Sequence, residues 1–397
     1  PGDGLEAAAV ALCGRGGSEE RPVLVVHRIH LIPYDRCERA ADFVRWPLGS
    51  MAGLLDEATA AGQAFVKFHS HPGGYPRFSE VDDISDAAAL GAASTWGDDG
   101  KPHGSVIMLP EGRLIGRLRD VNGNFTSIRR ISIVGDALSF FDVQPVNLGQ
   151  VFGEGTTARM GSLRVGVVGC SGTGSIVLEQ LLRLGVGELG AVDDDVLEER
   201  NLDRILNSRL ADLSPALSKV ELVARTAAEV GRTRVHPFAT RIQQREALVA
   251  LTQCDVVFGC VDSAEGRQTL NRLAAYYLLP YFDLGVRIEA DGQGGVGAAF
   301  GVVHYLKPDG STLMERGVVT QERLRAEALA RTDPDQYADE LERGYIRGAK
   351  VDRPAVITLN MLTAALAVDA LGAALITTVE TYLRAQFGGI GAGLVGI

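Results

Sequence analysis

The stretch LRVGVVGCSGTGSIVLEQLLRLGVGELGAVDDD, residues 163–195, decides the fold. LRVGVVG is a continuous apolar run of the kind that forms a buried parallel strand. Gly169, Gly172 and Gly174 then permit a tight turn and a close backbone approach to phosphate, at the positive end of the helix that follows. SIVLEQLLRLG reads as that helix and ELGAVDDD as a second strand, which completes a βαβ unit. Outward from it the alternation continues: a helix over 219–230, the strands VHPFAT and CDVVFGCVD, the helix GRQTLNRLAAYYL and the strand PYFDLGV. Such alternation predicts a doubly wound α/β sheet. A glycine loop alone equally suits an NAD-binding Rossmann domain, but the G-x-G-x-x-G spacing is broken here by Ser171.

The residues after the second strand separate these alternatives. AVDDDVLEERNLDRI holds Asp193 and Asp195 two apart, then Asn201, then Arg204; Lys219 follows in SPALSKVE and Asp262 in CVDSAEGRQTLNR. From about residue 155 onward, this ordered set resembles the ThiF/MoeB/E1 family of adenylating enzymes. The resemblance implies ATP and Mg2+ as cofactors: Asp193 on the ribose hydroxyls, Asn201, Arg204 and Lys219 on the phosphates, Asp262 at Mg2+, and Asp195 supporting the loop. It also implies a homodimer, with an arginine reaching across the interface, for which Arg159 is the nearest candidate. Relatives often carry a cysteine zinc site where KPDGSTLMERG places Thr312 and Glu315, and no cysteine follows Cys260. Cys170 in the phosphate loop and Cys260 in a buried strand are read as small apolar fillers. The chain is therefore expected to stop at the acyl-adenylate and to pass it to a cysteine-bearing acceptor or a sulfur carrier.

Upstream, GLEAAAVALCG reads as a helix or strand edge and VLVVHRIHLIP as a strand. MAGLLDEATAAG reads as a helix closed by Gly62, AFVKFHSH as a short strand, SEVDDISDAAALGAA as a helix capped by Ser79, and SVIMLP and RLIGRLRDV as strands. Within HSHPGGYPRFSEVDD, His69 and His71 stand two apart on an extended segment and so share one side. Two imidazoles and a carboxylate make a zinc site with one position left open, where bound water becomes nucleophilic near neutral pH. The pattern H-x-H, seven residues, Ser, two residues, Asp is matched without gaps and resembles the JAMM/MPN+ metalloproteases. That resemblance implies an α+β, cytidine-deaminase-like domain, with His69, His71 and Asp82 as Zn2+ ligands and Ser79 as donor to the oxyanion. It further implies an upstream glutamate as general base, which Glu6 fits. His27, His30, His103, His236 and His304 are read as ordinary core or surface histidines.

Length and composition set the frame. The 397 residues predict two domains, placed at 1–143 (JAMM-type) and 144–397 (ThiF/E1-like). A net charge of −11 argues against a nucleic-acid partner, and five scattered cysteines without a C-x-x-C argue against a disulfide scaffold. The Ala-rich run over 355–378 contains Asn360 and Asp369 and is read as a buried or interface helix rather than a membrane span. No signal peptide is read at the start, so a cytoplasmic location is expected. The charge-dense stretch 316–353 is read as an exposed helical insertion or loop. JAMM enzymes cut after the C-terminal glycine of ubiquitin-like proteins, and E1-like enzymes adenylate that same carboxylate. The two resemblances together imply a bifunctional enzyme of a prokaryotic ubiquitin-like pathway. An adenylating enzyme for a small peptide or metabolite carboxylate, with the first domain a binding or structural module, stays open beside it.

Overall fold

In the computed structural model, residues 2–142, 154–290, 296–343 and 357–375 are described. They group into two compact units, one of residues 2–133 with 139–142, the other of residues 134–138 with the described residues from 154 onward. The expected boundary at residue 143 falls at the edge of a segment, 143–153, outside the described residues.

The first unit opens with β1 (Ala8–Gly17), antiparallel to β2 (Pro22–Leu31), so GLEAAAVALCG enters a strand and not a helix. Its Ala and Val residues fill a strand buried on both faces, where propensity yields to packing. A short ribbon, β3 (Glu38–Arg39) and β4 (Val44–Arg45), leads to α1 (Ala52–Ala60), and Gly62 at φ 63° ends that helix as expected. β5 (Ala64–Ser70), α2 (Glu80–Gly97) and β6 (His103–Met108) form a parallel crossover. β7 (Leu114–Arg119) and β8 (Phe125–Ser127) complete a sheet ordered β2-β1-β5-β6-β7-β8. The ribbon of β9 (Arg130–Val134) and β10 (Leu138–Asp142) follows.

Period-two alternation divides this sheet. Ala11, Cys13, Ala64 and Val66 fill one face, while Val10, Leu12 and Phe65 pack on the other against Leu55 and Ala58 of α1 and Leu90 and Ala93 of α2. Lys67 and His69, two and four residues beyond Phe65, therefore point to the helix side. The antiparallel register Ala8↔His69 continues past the strand ends and carries Glu6 opposite His71.

In the second unit α3 (Glu154–Ser162) precedes β11 (Arg164–Val168), α4 (Gly172–Arg183) and β12 (Glu188–Val192). Then come α5 (Lys219–Val230), β13 (Arg234–Phe238), α6 (Arg245–Thr252), β14 (Val256–Gly259) and α7 (Ala264–Tyr277). β15 (Tyr281–Ala290) pairs antiparallel with β16 (Val296–Leu306), and α8 (Gln321–Thr332), α9 (Pro334–Glu342) and α10 (Ile357–Leu375) complete the described elements. The order β13-β12-β11-β14-β15-β16 is parallel through β15, with β11 at the centre. Connections leave β11 in opposite directions, so the loop after it stands at the switch point where α/β sheets bind ligands.

α6 and the antiparallel edge strand β16 are additions to the elements expected from the sequence. Cys260 lies one residue beyond β14, half-buried, instead of inside a strand. The described part of the charge-dense stretch contains two helices, α8 and α9; residues 344–353 lie outside the described residues. α10 is long and apolar enough, by length and composition, to cross a membrane. It packs instead against α4, β15 and β16, with Asn360, Thr363, Ala364, Ala367, Val368 and Leu371 buried.

Candidate functional site

The first cluster is assembled from three chain segments. β5 ends at Ser70 and delivers His69; the backbone N–H of His71 bonds the Met108 carbonyl, which fixes the chain just beyond the strand. Ser79 caps α2 reciprocally with Asp82: its hydroxyl oxygen accepts from the Asp82 N–H, and Asp82 Oδ2 accepts from the Ser79 N–H at 2.7 Å and from its hydroxyl at 2.8 Å. This turn aims Asp82 back at the strand. His69 Nε2 stands 2.8 Å from Asp82 Oδ1 and 3.1 Å from His71 Nε2; His71 Nε2 stands 3.4 Å from Asp82 Oδ2 and 3.7 Å from Glu6 Oε1. Glu6, His69, His71 and Asp82 are all buried.

The donor set fits a zinc ion. One ligand atom from each of His69, His71 and Asp82 lies within 4.8 Å of the others. His71 Nδ1 is 2.9 Å from the Tyr75 carbonyl, so Nδ1 carries the proton and Nε2 turns a lone pair toward the cluster. Burial lowers the pKa of His69, which favours the neutral, ligating imidazole. Burial opposes ionisation of Asp82, yet the two imidazoles hold it well below the usual carboxylate range. Glu6 differs: burial pushes it up to about 7, a value suited to accepting a proton near neutrality.

That elevation has a consequence for stability. In the metal-free protein the folded Glu6 keeps a proton at pH values where an unfolded glutamate has lost it. Its contribution to stability is therefore lost as pH rises from about 4.5 through about 7. Glu6→Gln is expected to raise the melting temperature of the first unit in chelator above pH 7, with the gain vanishing toward pH 4. Both tryptophans, Trp46 and Trp96, lie in that unit, so their fluorescence reports on it alone.

The second cluster surrounds the loop after β11. Gly169 adopts φ 89°, its N–H bonds the Val192 carbonyl, and a Cβ at Gly174 would stand 1.7 Å from the Gly169 oxygen. Only glycine permits that approach. Ser171 makes no side-chain cap bond to α4, so the helix opens directly onto the loop. Asp193 Oδ2 accepts from the Cys170 N–H at 2.6 Å and Oδ1 from the Asp195 N–H at 2.9 Å. Burial raises the Asp193 pKa, against the pull of Lys219. Lys219, the buried first residue of α5, stands 2.5 Å from Asp195 and 3.8 Å from Asp193.

Asp193, Asp195, Lys219 and the glycine loop are thus one connected site. Arg204 borders it, its Cδ 3.2 Å from where a Gly172 Cβ would be. The Asn201 side chain is occupied in shaping the preceding turn, accepting from the Glu198 N–H at 3.0 Å. Asp262 is exposed beyond β14, in the same row of strand ends, and the adjoining start of α7 is capped by Glu327 through the Ala264 and Glu265 N–H groups. Arg159 bonds the Leu375 carbonyl of its own unit.

Asn360 is a site residue the sequence reading did not assign. It is buried on α10, accepts from the Thr173 hydroxyl at 3.3 Å and lies where a Gly172 Cβ would reach within 2.6 Å of it. Its only signal in the sequence is a polar interruption of an apolar run. Thr312 and Glu315 bond each other reciprocally, Thr312 N–H to Glu315 Oε2 at 2.8 Å and Glu315 N–H to Thr312 Oγ1 at 3.2 Å.

Residues 146–369 match the ThiF family. Adenylyltransferase and sulfurtransferase UBA4 of Eremothecium gossypii is 31% identical over 133 residues, covering 32% of this chain and 28% of the relative. Ubiquitin-like modifier-activating enzyme 5 of Drosophila persimilis is 29% identical over 163 residues, covering 38% and 40%. The chain thus spans between about a quarter and two-fifths of the length of these curated relatives. Among solved structures, E. coli MccB with ATP aligns over 55% of this chain and 58% of that one at 19% identity and TM-score 0.40.

Proposed function

The chain belongs to the ThiF family, and from that premise we propose a bifunctional enzyme acting on the C-terminus of a ubiquitin-like protein. Its second unit is a ThiF/MoeB E1-like adenylyltransferase domain, for which ATP is the expected co-substrate. The proposed reaction is attack of a C-terminal glycine carboxylate on the α-phosphorus of ATP, breaking the bond to the β-phosphate and releasing pyrophosphate. The glycine loop and the start of α4 present backbone N–H groups to phosphate. Asp193 would receive the ribose hydroxyls, Lys219 and Arg204 would balance charge on the phosphates, and Asp262 would hold Mg2+, which supplies further charge neutralisation there. Lys219 rests on Asp193 and Asp195, and those acids keep it aimed at the loop.

For the first unit, the reading is a JAMM-type peptidase. The observation that carries it is the convergence of Glu6, His69, His71 and Asp82 from separate segments into one buried cluster. Zinc held by His69, His71 and Asp82 would polarise the scissile carbonyl and supply a nucleophilic water. Glu6 takes the water proton and returns it to the leaving amine, while the Ser79 hydroxyl, which donates to Asp82 Oδ2, would turn from that oxygen to the developing oxyanion. The substrate would be a precursor or conjugate cut after its terminal glycine, and the acceptor of the adenylate a sulfur carrier or a cysteine on another protein. A cytoplasmic homodimer is part of the same reading.

ATP–pyrophosphate exchange with a peptide ending in Gly-Gly, set against small carboxylic acids, tests the substrate class. Exchange that responds only to the small acid would replace the ubiquitin-like reading by the metabolite one. The thiols are poor nucleophiles: burial raises the pKa of Cys170 and of Cys260. Cys260→Ala is expected to leave pyrophosphate exchange within about twofold of wild type. A collapse of exchange in that variant would return the thiol to the mechanism.

A further inference from the structure

Beneath the metal cluster lies a second set of buried charges that the two reactions do not use. Asp86 is fully buried and Lys67 is 2% exposed. Lys67 Nζ stands 2.7 Å from Asp86 Oδ1 and 2.8 Å from the Ser85 hydroxyl. Arg117 donates to Asp86 Oδ2 through Nε at 3.1 Å and Nη2 at 2.8 Å, and pairs with Asp83. The Arg117 guanidinium also lies over the Phe78 ring at 3.8 Å and the Phe125 ring at 4.0 Å. Lys67 and Arg117 come from β5 and β7, facing each other across Ser105 of β6.

The spacing relates this set to the metal cluster. Lys67 precedes His69 by two residues on β5, and Asp86 follows Asp82 by four on α2. Two strand residues advance about 6.6 Å and four helix residues about 6.0 Å. With α2 running back over β5, the pairs His69–Asp82 (2.8 Å) and Lys67–Asp86 (2.7 Å) become successive rungs between strand and helix. A slip of α2 that separated one rung would separate the other. Stacking on Phe78 extends the restraint to the residue before Ser79.

We propose that Asp86, with Lys67 and Arg117, is a positioning residue that sets the register of α2 on β5 and thereby holds Asp82 and Ser79 in metal-binding geometry. The proposal rests on the zinc reading of the first unit. Apolar side chains of similar volume commonly replace a buried ion cluster without loss of stability. Fixing register is the best-attested use of such buried charge, and the two rungs shared by β5 and α2 are what assign that use to these three residues.

The test uses the full chain carrying Asp86→Asn, and Lys67→Gln with Asp86→Asn, which keeps a neutral rung if the single change leaves Lys67 too costly to bury. Tryptophan fluorescence checks that the first unit is folded. Zinc affinity by chelator competition and the visible spectrum of the cobalt-loaded protein are then read. The expected result is a folded variant whose zinc affinity falls about 10–100-fold, the range for outer-shell partners, with an altered cobalt spectrum. Folded variants with wild-type affinity and spectrum overturn the positioning role and leave the zinc reading intact. Unfolding of both variants assigns the set to stability alone and overturns it too. A wild-type chain that takes up no zinc overturns both readings.

Discussion

Asp82→Asn is expected to leave the first unit without tightly bound zinc and without peptidase activity, a loss larger than the 10–100-fold typical of outer-shell changes. The carboxylate of Asp82 is held ionised by two imidazoles and by the Ser79 N–H and hydroxyl. The amide keeps the shape but replaces one of those acceptor oxygens by a donor and removes the negative charge that a dication needs. His69→Ala should do the same by deleting a ligand. Metal analysis of the purified proteins and cleavage of an extended ubiquitin-like precursor are the measurements. In both variants ATP–pyrophosphate exchange with the mature protein should stay at the wild-type rate, because the second unit carries its own residues for that step. Full zinc content in either variant would refute the ligand assignment.

Lys219→Met should lower pyrophosphate exchange by on the order of 10²–10³-fold, the cost of removing one preorganised electrostatic partner from a developing charge. Lys219 is buried and lies against Asp193 and Asp195, so its ammonium is fixed before nucleotide arrives. Its loss also leaves Asp193, already raised by burial, without its cation, and the loss should appear in KM for ATP as well as in kcat. Asp193→Asn is expected to fall as far, since Oδ1 and Oδ2 accept from the Asp195 and Cys170 N–H groups and so shape both walls of the loop. Steady-state exchange over a range of ATP concentrations checks both variants. A Lys219→Met enzyme within a few-fold of wild type would remove Lys219 from the phosphate site.

Much of this was legible where the residues that act together also lie together in the chain. The βαβ unit, the glycine loop, and the Ser79 cap with Asp82 three residues on are local patterns, and the structure forms them as read. What depended on distant pairing was not. Glu6 could be placed only by resemblance, because the antiparallel register of β1 on β5 brings it to His71. Asn360 reaches Thr173 across 187 positions of sequence and looked like a mere polar break in an apolar helix. Lys67, Asp86 and Arg117 carry no local signal of their burial, since nothing near them in the chain says that α2 will cover them. The strand β16 escaped notice because an edge strand takes its place from its partner β15. Cys260 was assigned to a strand that ends one residue earlier, where Gly169 packs against the Cys260 carbonyl: a Cβ on Gly169 would stand 2.6 Å from that oxygen.

The central claim is that the two units act in turn on one carboxylate. A ubiquitin-like protein extended beyond its terminal Gly-Gly, and the same protein already ending there, should be offered with ATP, Mg2+ and labelled pyrophosphate to zinc-loaded enzyme and to enzyme stripped of zinc and freed of chelator. Exchange is expected with the mature protein under both conditions, and with the extended one only when zinc is present. Zinc-independent exchange on the extended protein, or no exchange on the mature one, would contradict the claim.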